Sequence, residues 1–440
     1  MSYKIIDLPD LGRAFNATDI MEVSANGLGS YKVNIGEFTL GGENYIFVNS
    51  NGTTTENGQA VKDAYVAAQA MTPNGAALSA TNRVVILLAP GLYSFDEATY
   101  GPFQVNTSFI DFESVTGERD VYFSSIDVIS YPTPIDARFS GIDTTVNSYY
   151  AHKAFAICTS GTVNENIIAK NCKGGTYSFS CFSAGFRGLY EDCEAESLSF
   201  VSTGDTVFPP LGITGSGQIN IDNYGTIKNC IATVGASFCN SYLFGLPSIV
   251  RNYGTIESCQ ASGTRSFCFG PYDSQNLGTI INCKSAGNAS FVDVDYDNIG
   301  TGRAINTGLI DNCIITSGGG FVVYNGVLAG AASNGGSILN CKAFGGASFV
   351  VDPTPRIGTN SGTISNCFMS ISTGFCGDSG TNNGLINECV SQANAFCKSS
   401  PSTINGDILR CTLLGDSWTT GATGGGRVVL GIDSTGVVNF

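Results

Sequence analysis

The stretch "NYGTIKNCIATVGASF", Asn223 to Phe238, decides how this chain folds. It returns as "NYGTIESCQASGTRSF" at Asn252–Phe267 and as "NLGTIINCKSAGNASF" at Asn276–Phe291. Aligning on the cysteine gives ten copies, anchored at Cys172, Cys193, Cys230, Cys259, Cys283, Cys313, Cys341, Cys367, Cys389 and Cys411. An aromatic follows each anchor by 7 or 8 residues: Phe179, Phe200, Phe238, Phe267, Phe291, Phe321, Phe349, Phe375, Phe396 and Trp418. The anchors themselves are 21 to 37 residues apart. A fixed block with variable insertions is the mark of a solenoid whose loops leave from particular corners.

The blocks "GTIKNC", "GTISNC", "GLINEC" and "GDILRC" are short, β-branched and bounded by glycine. None has a 3.6-residue period, and the units lack the several leucines of a leucine-rich repeat. Coils of this length with about three short strands each predict an all-β, single-stranded, right-handed parallel β-helix, rising ~4.8 Å per coil. The residue before the anchor is Asn at 171, 229, 282, 312, 340 and 366. Asn tolerates the left-handed conformation, so a one-residue bend there lets Ile227 and Cys230 both point inward despite their odd spacing. Stacked amides at that corner would hydrogen-bond from coil to coil. Phe238, Phe267, Phe291, Phe321, Phe349, Phe375 and Phe396 would form an inner ladder. A buried Phe contributes about 1.5–3 kcal/mol and an offset-stacked pair about 0.5–1.5 more.

Around these ten regular coils the chain divides further. Residues 1–40 contain "TDIMEVSANGLGSYKVNIGEF", an alternating pattern about a Gly-containing turn that predicts a small β module. Residues 41–102 predict an N-terminal cap, with a helix at 59–71 ("QAVKDAYVAAQAM") and a strand in "RVVILLAPGLYSF". A β-helix needs such a cap to cover open strand edges. The β-helix itself is expected over 103–418, irregular at first. Residues 419–440 would cap the last coil or add a strand to a neighbouring chain.

Composition narrows the function. The chain has 440 residues and a net charge of −15, with 36 acidic side chains, 21 Lys+Arg and one histidine. Few bases on an acidic surface argue against nucleic acid as a partner. The start "MSYKIIDLPDLG" has no basic segment followed by an apolar core, and no apolar run approaches the ~20 residues of a membrane helix. The expectation is a protein made in the cytoplasm, neither exported by a leader nor inserted in a membrane.

Residues 45–418 resemble the pectate-lyase-like superfamily of right-handed β-helices, through the helix followed by "APGLY" and the "GTI.NC" coils. The opening "IIDLPDLGRAFNATDIMEVSANGLGSYKVNIGEF" resembles the short modules that attach phage tail fibres, tailspikes and related appendages to the virion. The resemblance implies a structural virion protein, a homotrimer, joined to other virion proteins through residues 1–40 and serving host attachment or surface-glycan recognition without a cofactor. The alternative is a virion-borne polysaccharide depolymerase, because the superfamily includes lyases and glycosidases as well as silent spikes.

The residues allow a test of each chemistry. No C-x-x-C occurs and His152 is the only histidine, which argues against a zinc site. The second cysteine of a coil (Cys239, Cys268, Cys376) is replaced by Val at 292, 322 and 350, an exchange suited to an apolar core position. Hydrolysis of polysaccharide needs two carboxylates, and lyases of the resembled superfamily use a base, often with Ca²⁺ held by acidic side chains. In "FVDVDYDNIG", alternation puts Asp293, Asp295 and Asp297 on one outward face, with Arg303 nearby in sequence. They are the candidates for catalysis, or for binding carbohydrate or a cation; a solvated acidic face is the plainer reading. "YEDCEAES" adds Glu191, Glu194 and Glu196, and Tyr149, Tyr150, Tyr242, Tyr253 and Tyr272 are candidate sugar platforms.

Overall fold

A computed structural model describes strands at 3–4, 20–25, 29–34 and 438–439, and the spine of the chain from 44 to 432. Within that spine, connections such as 96–102, 146–155, 159–166, 204–218, 242–247, 295–301, 325–330, 352–357, 393–402 and 415–425, and shorter stretches between strands, lie outside the described residues. The chain is an all-β parallel β-helix. Two sheets run the length of the spine with 15 strands each, and a third has nine strands and a fourth six. The right-handed sense is the one that parallel crossover connections take in nearly all cases.

A middle coil shows why the sequence block is fixed. Ile219–Asn223 lies in the third sheet, Thr226–Lys228 in the first, Ile231–Ala232 in the second and Cys239–Ser241 in the fourth. Four short strands make the coil where three were expected, because the segment after the Phe breaks into two ranks. Asn229 turns the corner between the first and second sheets with φ 53°, and the same position is left-handed in all ten copies, from Asn171 (φ 49°) to Arg410 (φ 51°). Ile227, Cys230 and Phe238 are fully buried together, as the bend requires. Rings from Phe179 to Phe375 stack in one column with centroids 4.5–5.3 Å apart. Phe396 and Trp418 lie outside the described residues.

The thiols form a second column. Thirteen cysteines, from Cys172 to Cys411, are free and buried. The amide of Cys283 donates to Sγ of Cys313, and that of Cys313 to Sγ of Cys341, at 3.4 and 3.5 Å. Burial pushes the Cys172, Cys193 and Cys230 thiols well above their ordinary range. Cys239, Cys268, Val292, Val322 and Val350 pair in register along the fourth sheet, so the Cys/Val exchange is a core position filled by small hydrophobes.

A third column belongs to the first Asn of each block, not to the corner. Asn223, Asn252, Asn276, Asn306, Asn334, Asn360 and Asn382 are all fully buried, and each Nδ2 up to that of Asn360 donates to the next Oδ1 at 2.7–2.9 Å. At the corner the amides are exposed and the row is interrupted: Asn312 bonds Asn282 and Asn366 bonds Asn340, but Asn229 bonds Asp192 and Asn340 bonds Asp311. Two residues after each buried Asn stands a glycine. A Cβ at Gly254, Gly278, Gly308, Gly336, Gly362, Gly384, Gly406 or Gly426 would lie 2.0–2.2 Å from the carbonyl oxygen of the glycine one coil below. Backbone meets backbone there, and only Gly fits.

The N-terminal helix runs Thr54–Ala70, five residues earlier than expected at its start. Thr53 and Glu56 form a reciprocal capping box, which the segment "TTTE" encodes. Val61, Ala64, Tyr65 and Ala68 are buried, and the Tyr65 ring meets Phe103 and Phe112. The first sheet already begins at Tyr45–Val48 and Val84–Leu88, which pair onward to Ile110–Ser114. Ile20–Ala25 and Gly29–Asn34 pair as an antiparallel hairpin. At the other end Val438–Asn439 reverses and pairs antiparallel with Gly431–Ile432.

Candidate functional site

The acidic candidates divide. Asp293 sits between Val292 and Val294 in the fourth sheet, but all three are buried, Asp293 at 2% exposure. Its register neighbours Phe269 and Val323 are buried too. The expected outward face is therefore a covered surface, and Asp293 does not project to solvent. Alternation failed here because both faces of this sheet are packed. Asp295 and Asp297 lie outside the described residues. Arg303 is spent elsewhere: it pairs at 2.7 Å with Asp273, a carboxylate of 1% exposure one coil below.

The outer face of the third sheet brings together a different group. Arg251 clamps Asp222 with Nε–Oδ1 at 2.6 Å and Nη2–Oδ2 at 2.9 Å, and Tyr224 donates to the same carboxylate at 3.2 Å. Burial works against the Arg251 charge, but the hydrogen bonds and charge of Asp222 outweigh it and hold Arg251 above its ordinary value. Burial, and then the Asp222 charge, raise Tyr224. The Tyr224 and Tyr253 rings stack at 4.8 Å, and the Arg187 guanidinium from the coil below lies 5.0 Å from the Tyr224 ring. Both faces of Tyr224 are thus engaged along the stack, leaving ring edges, not faces, for any ligand. Among the proposed sugar platforms Tyr253 belongs to this stack, and Tyr149, Tyr150 and Tyr242 lie outside the described residues.

Other ion pairs follow the same rule. Lys170–Glu191 (2.7 Å), Lys173–Glu194 (3.0 Å), Glu388–Arg410 (3.0 Å) and Asp407–Arg427 (2.7 Å) each join one coil to the next. Arg119 adds a second contact to Glu194. Glu191 and Glu194, read as possible acids, are coil-to-coil ties. Near the N-terminus Arg83 reaches Asp111 through two nitrogens and Asp136 at 2.7 Å, tying three coils at once. Beside it Glu113 is raised by burial first and by Asp111 second. Glycoside hydrolysis uses a pair of carboxyl groups, yet Asp111 is enclosed by Arg83 and the Arg138 amide. It offers no open oxygen to a substrate. No group of three or more His, Cys, Asp or Glu among the described residues is arranged to hold a metal ion.

These pairs had a signal that alignment on cysteine alone passed over. Asp222 and Arg251 both immediately precede a buried Asn, Asp273 and Arg303 both stand three residues before one, and Asp407 and Arg427 both follow a glycine of the column. Opposite charges at one repeat position in consecutive copies are neighbours ~4.8 Å apart. Fold and surface together define an all-β parallel β-helix solenoid. No protein-family model matches the chain, and no curated protein matches it.

Proposed function

We propose that the protein is a structural component of a bacteriophage particle: a tail fibre, tailspike or head-fibre-type appendage. It attaches through residues 1–40 to other virion proteins and extends its β-helix for host attachment or surface-glycan recognition. The observation that supports this reading is the long parallel stack, with two sheets of 15 strands each, along which ion pairs tie coil to coil. Such a surface suits a rigid shaft, since each exposed pair adds only ~0–1 kcal/mol but together they fix register against slippage. Three copies on a symmetric mount is the stoichiometry this reading carries. Locating the protein in intact particles by electron microscopy tests it, together with removal of residues 1–40. If the shortened protein still enters particles, the attachment role of that segment is wrong.

The depolymerase reading keeps Asp295 and Asp297, with Asp293 withdrawn from the surface. Release of reducing ends or unsaturated products from host capsule by the wild-type protein, lost in Asp295→Ala, would replace the shaft reading with an enzymatic one.

A further inference from the structure

We propose that the outer face of the second sheet, from Ile231 to Leu414, is the surface by which one copy of this chain packs against another. The strands from Ile231–Ala232 to Thr412–Leu413 form eight consecutive rungs, about 34 Å long at ~4.8 Å per step. Their outer positions form one register column through Ile231, Lys284, Ile314, Lys342, Phe368 and Val390. The Phe344 ring packs beside that of Phe368 at 5.6 Å. Ile231 is 42% exposed and Leu414 52%.

Two features separate this face from the rest of the surface. Outward positions on these eight rungs carry no carboxylate, in a chain with 36 acidic residues against 21 basic ones. Lys284 and Lys342 have no ion pair among the described residues, whereas Lys170, Arg251, Arg303 and Arg427 on the other faces are tied to the coil above or below. An apolar strip carrying two unpaired cations is complementary to an acidic surface, and the remainder of this chain supplies one. A two-fold contact centred on Ile314 would set Lys284 against Lys342 of the partner subunit. The face is better matched by a different, acidic surface of the neighbouring copy, a head-to-tail contact. This inference needs no virion and does not depend on the count of three.

The test uses the full chain and light scattering after size exclusion, at about 10 μM. The wild type is expected at a multiple of its 45.8 kDa mass. Phe368→Glu and Lys342→Glu are each expected to weaken association at least ten-fold, and Thr381→Glu on the third sheet to leave it unchanged. Thiol protection reports folding, because Cys341 and Cys367 lie in the core one residue before the two altered positions. If Phe368→Glu exposes thiols, Lys342→Glu decides. A wild type at the single-chain mass, or an assembly that resists the folded variants, overturns the proposal. Absence from particles with the assembly intact would remove the virion reading and leave this interface standing.

Discussion

Replacing Asn306 by alanine isolates what the buried amide column contributes. Asn306 accepts from Asn276 Nδ2 at 2.8 Å and donates to Asn334 Oδ1 at 2.7 Å, and it is fully buried. Two neutral hydrogen bonds are worth about 1 kcal/mol each net, and leaving buried partners unsatisfied costs about 1–3 kcal/mol more. Asn276 retains a weaker contact to the Leu309 carbonyl at 3.3 Å, so the Asn334 oxygen bears most of that loss. The expected destabilisation is about 3–5 kcal/mol, felt mainly by the adjoining coils because contacts in a solenoid are nearest-neighbour. Hydrogen exchange resolves this better than a melting curve, since long repeat arrays need not unfold in two states. Amides of the Asn276 and Asn334 rungs should exchange roughly 140- to 4,000-fold faster, with distant coils unchanged. Asn312→Gly is the control: same coil, same residue type, one exposed amide bond and a left-handed backbone that glycine adopts freely. It should fall within about 0.5 kcal/mol of wild type. Asn306→Ala no more costly than Asn312→Gly would refute the reasoning.

Gly308→Ala places a methyl 2.1 Å from the Gly278 oxygen, and should lower stability by about 1–3 kcal/mol, read as an earlier thermal midpoint; a neutral result would mean the coils can separate. Phe291→Ala should cost about 3–5 kcal/mol, because the ring is fully buried between two stacked neighbours. Native protein should react with an aromatic disulfide reagent at none of the thirteen buried cysteines and at all of them in guanidinium; rapid native labelling at Cys230 or Cys313 would contradict the buried column. Glu113 is raised by burial, so the folded state holds its proton more tightly than the unfolded one. Stability is fully present below the unfolded pKa and declines as pH rises through the folded one. Glu113→Gln should therefore be more stable than wild type at neutral pH, with the difference vanishing at acidic pH in parallel thermal melts.

The fold was legible because its period is carried by residues with few alternatives. A cysteine with an aromatic 7 or 8 residues on, preceded by a residue able to turn left-handed, admits little besides a bent pair of strands. The same stretch holds two asparagines, and the exposed corner one attracts attention because its conformation is unusual. The buried one, in "NYG", looks like ordinary turn chemistry until copies are stacked. Face assignment failed at Asp293 because alternation tells two faces apart but not which is wet, and in the fourth sheet neither is. Charge pairs such as Asp273–Arg303 were hidden by a separation of 30 residues, which is long along the chain and one step along the stack.

The glycine column has a mechanical consequence. Where backbone rests on backbone, there are no side-chain rotamers to yield, so the column acts as a stop against compression along the solenoid axis. Loops at the other corners can lengthen or change sequence without moving that stop. A solenoid built this way can vary what its loops display while its rise per coil stays constant.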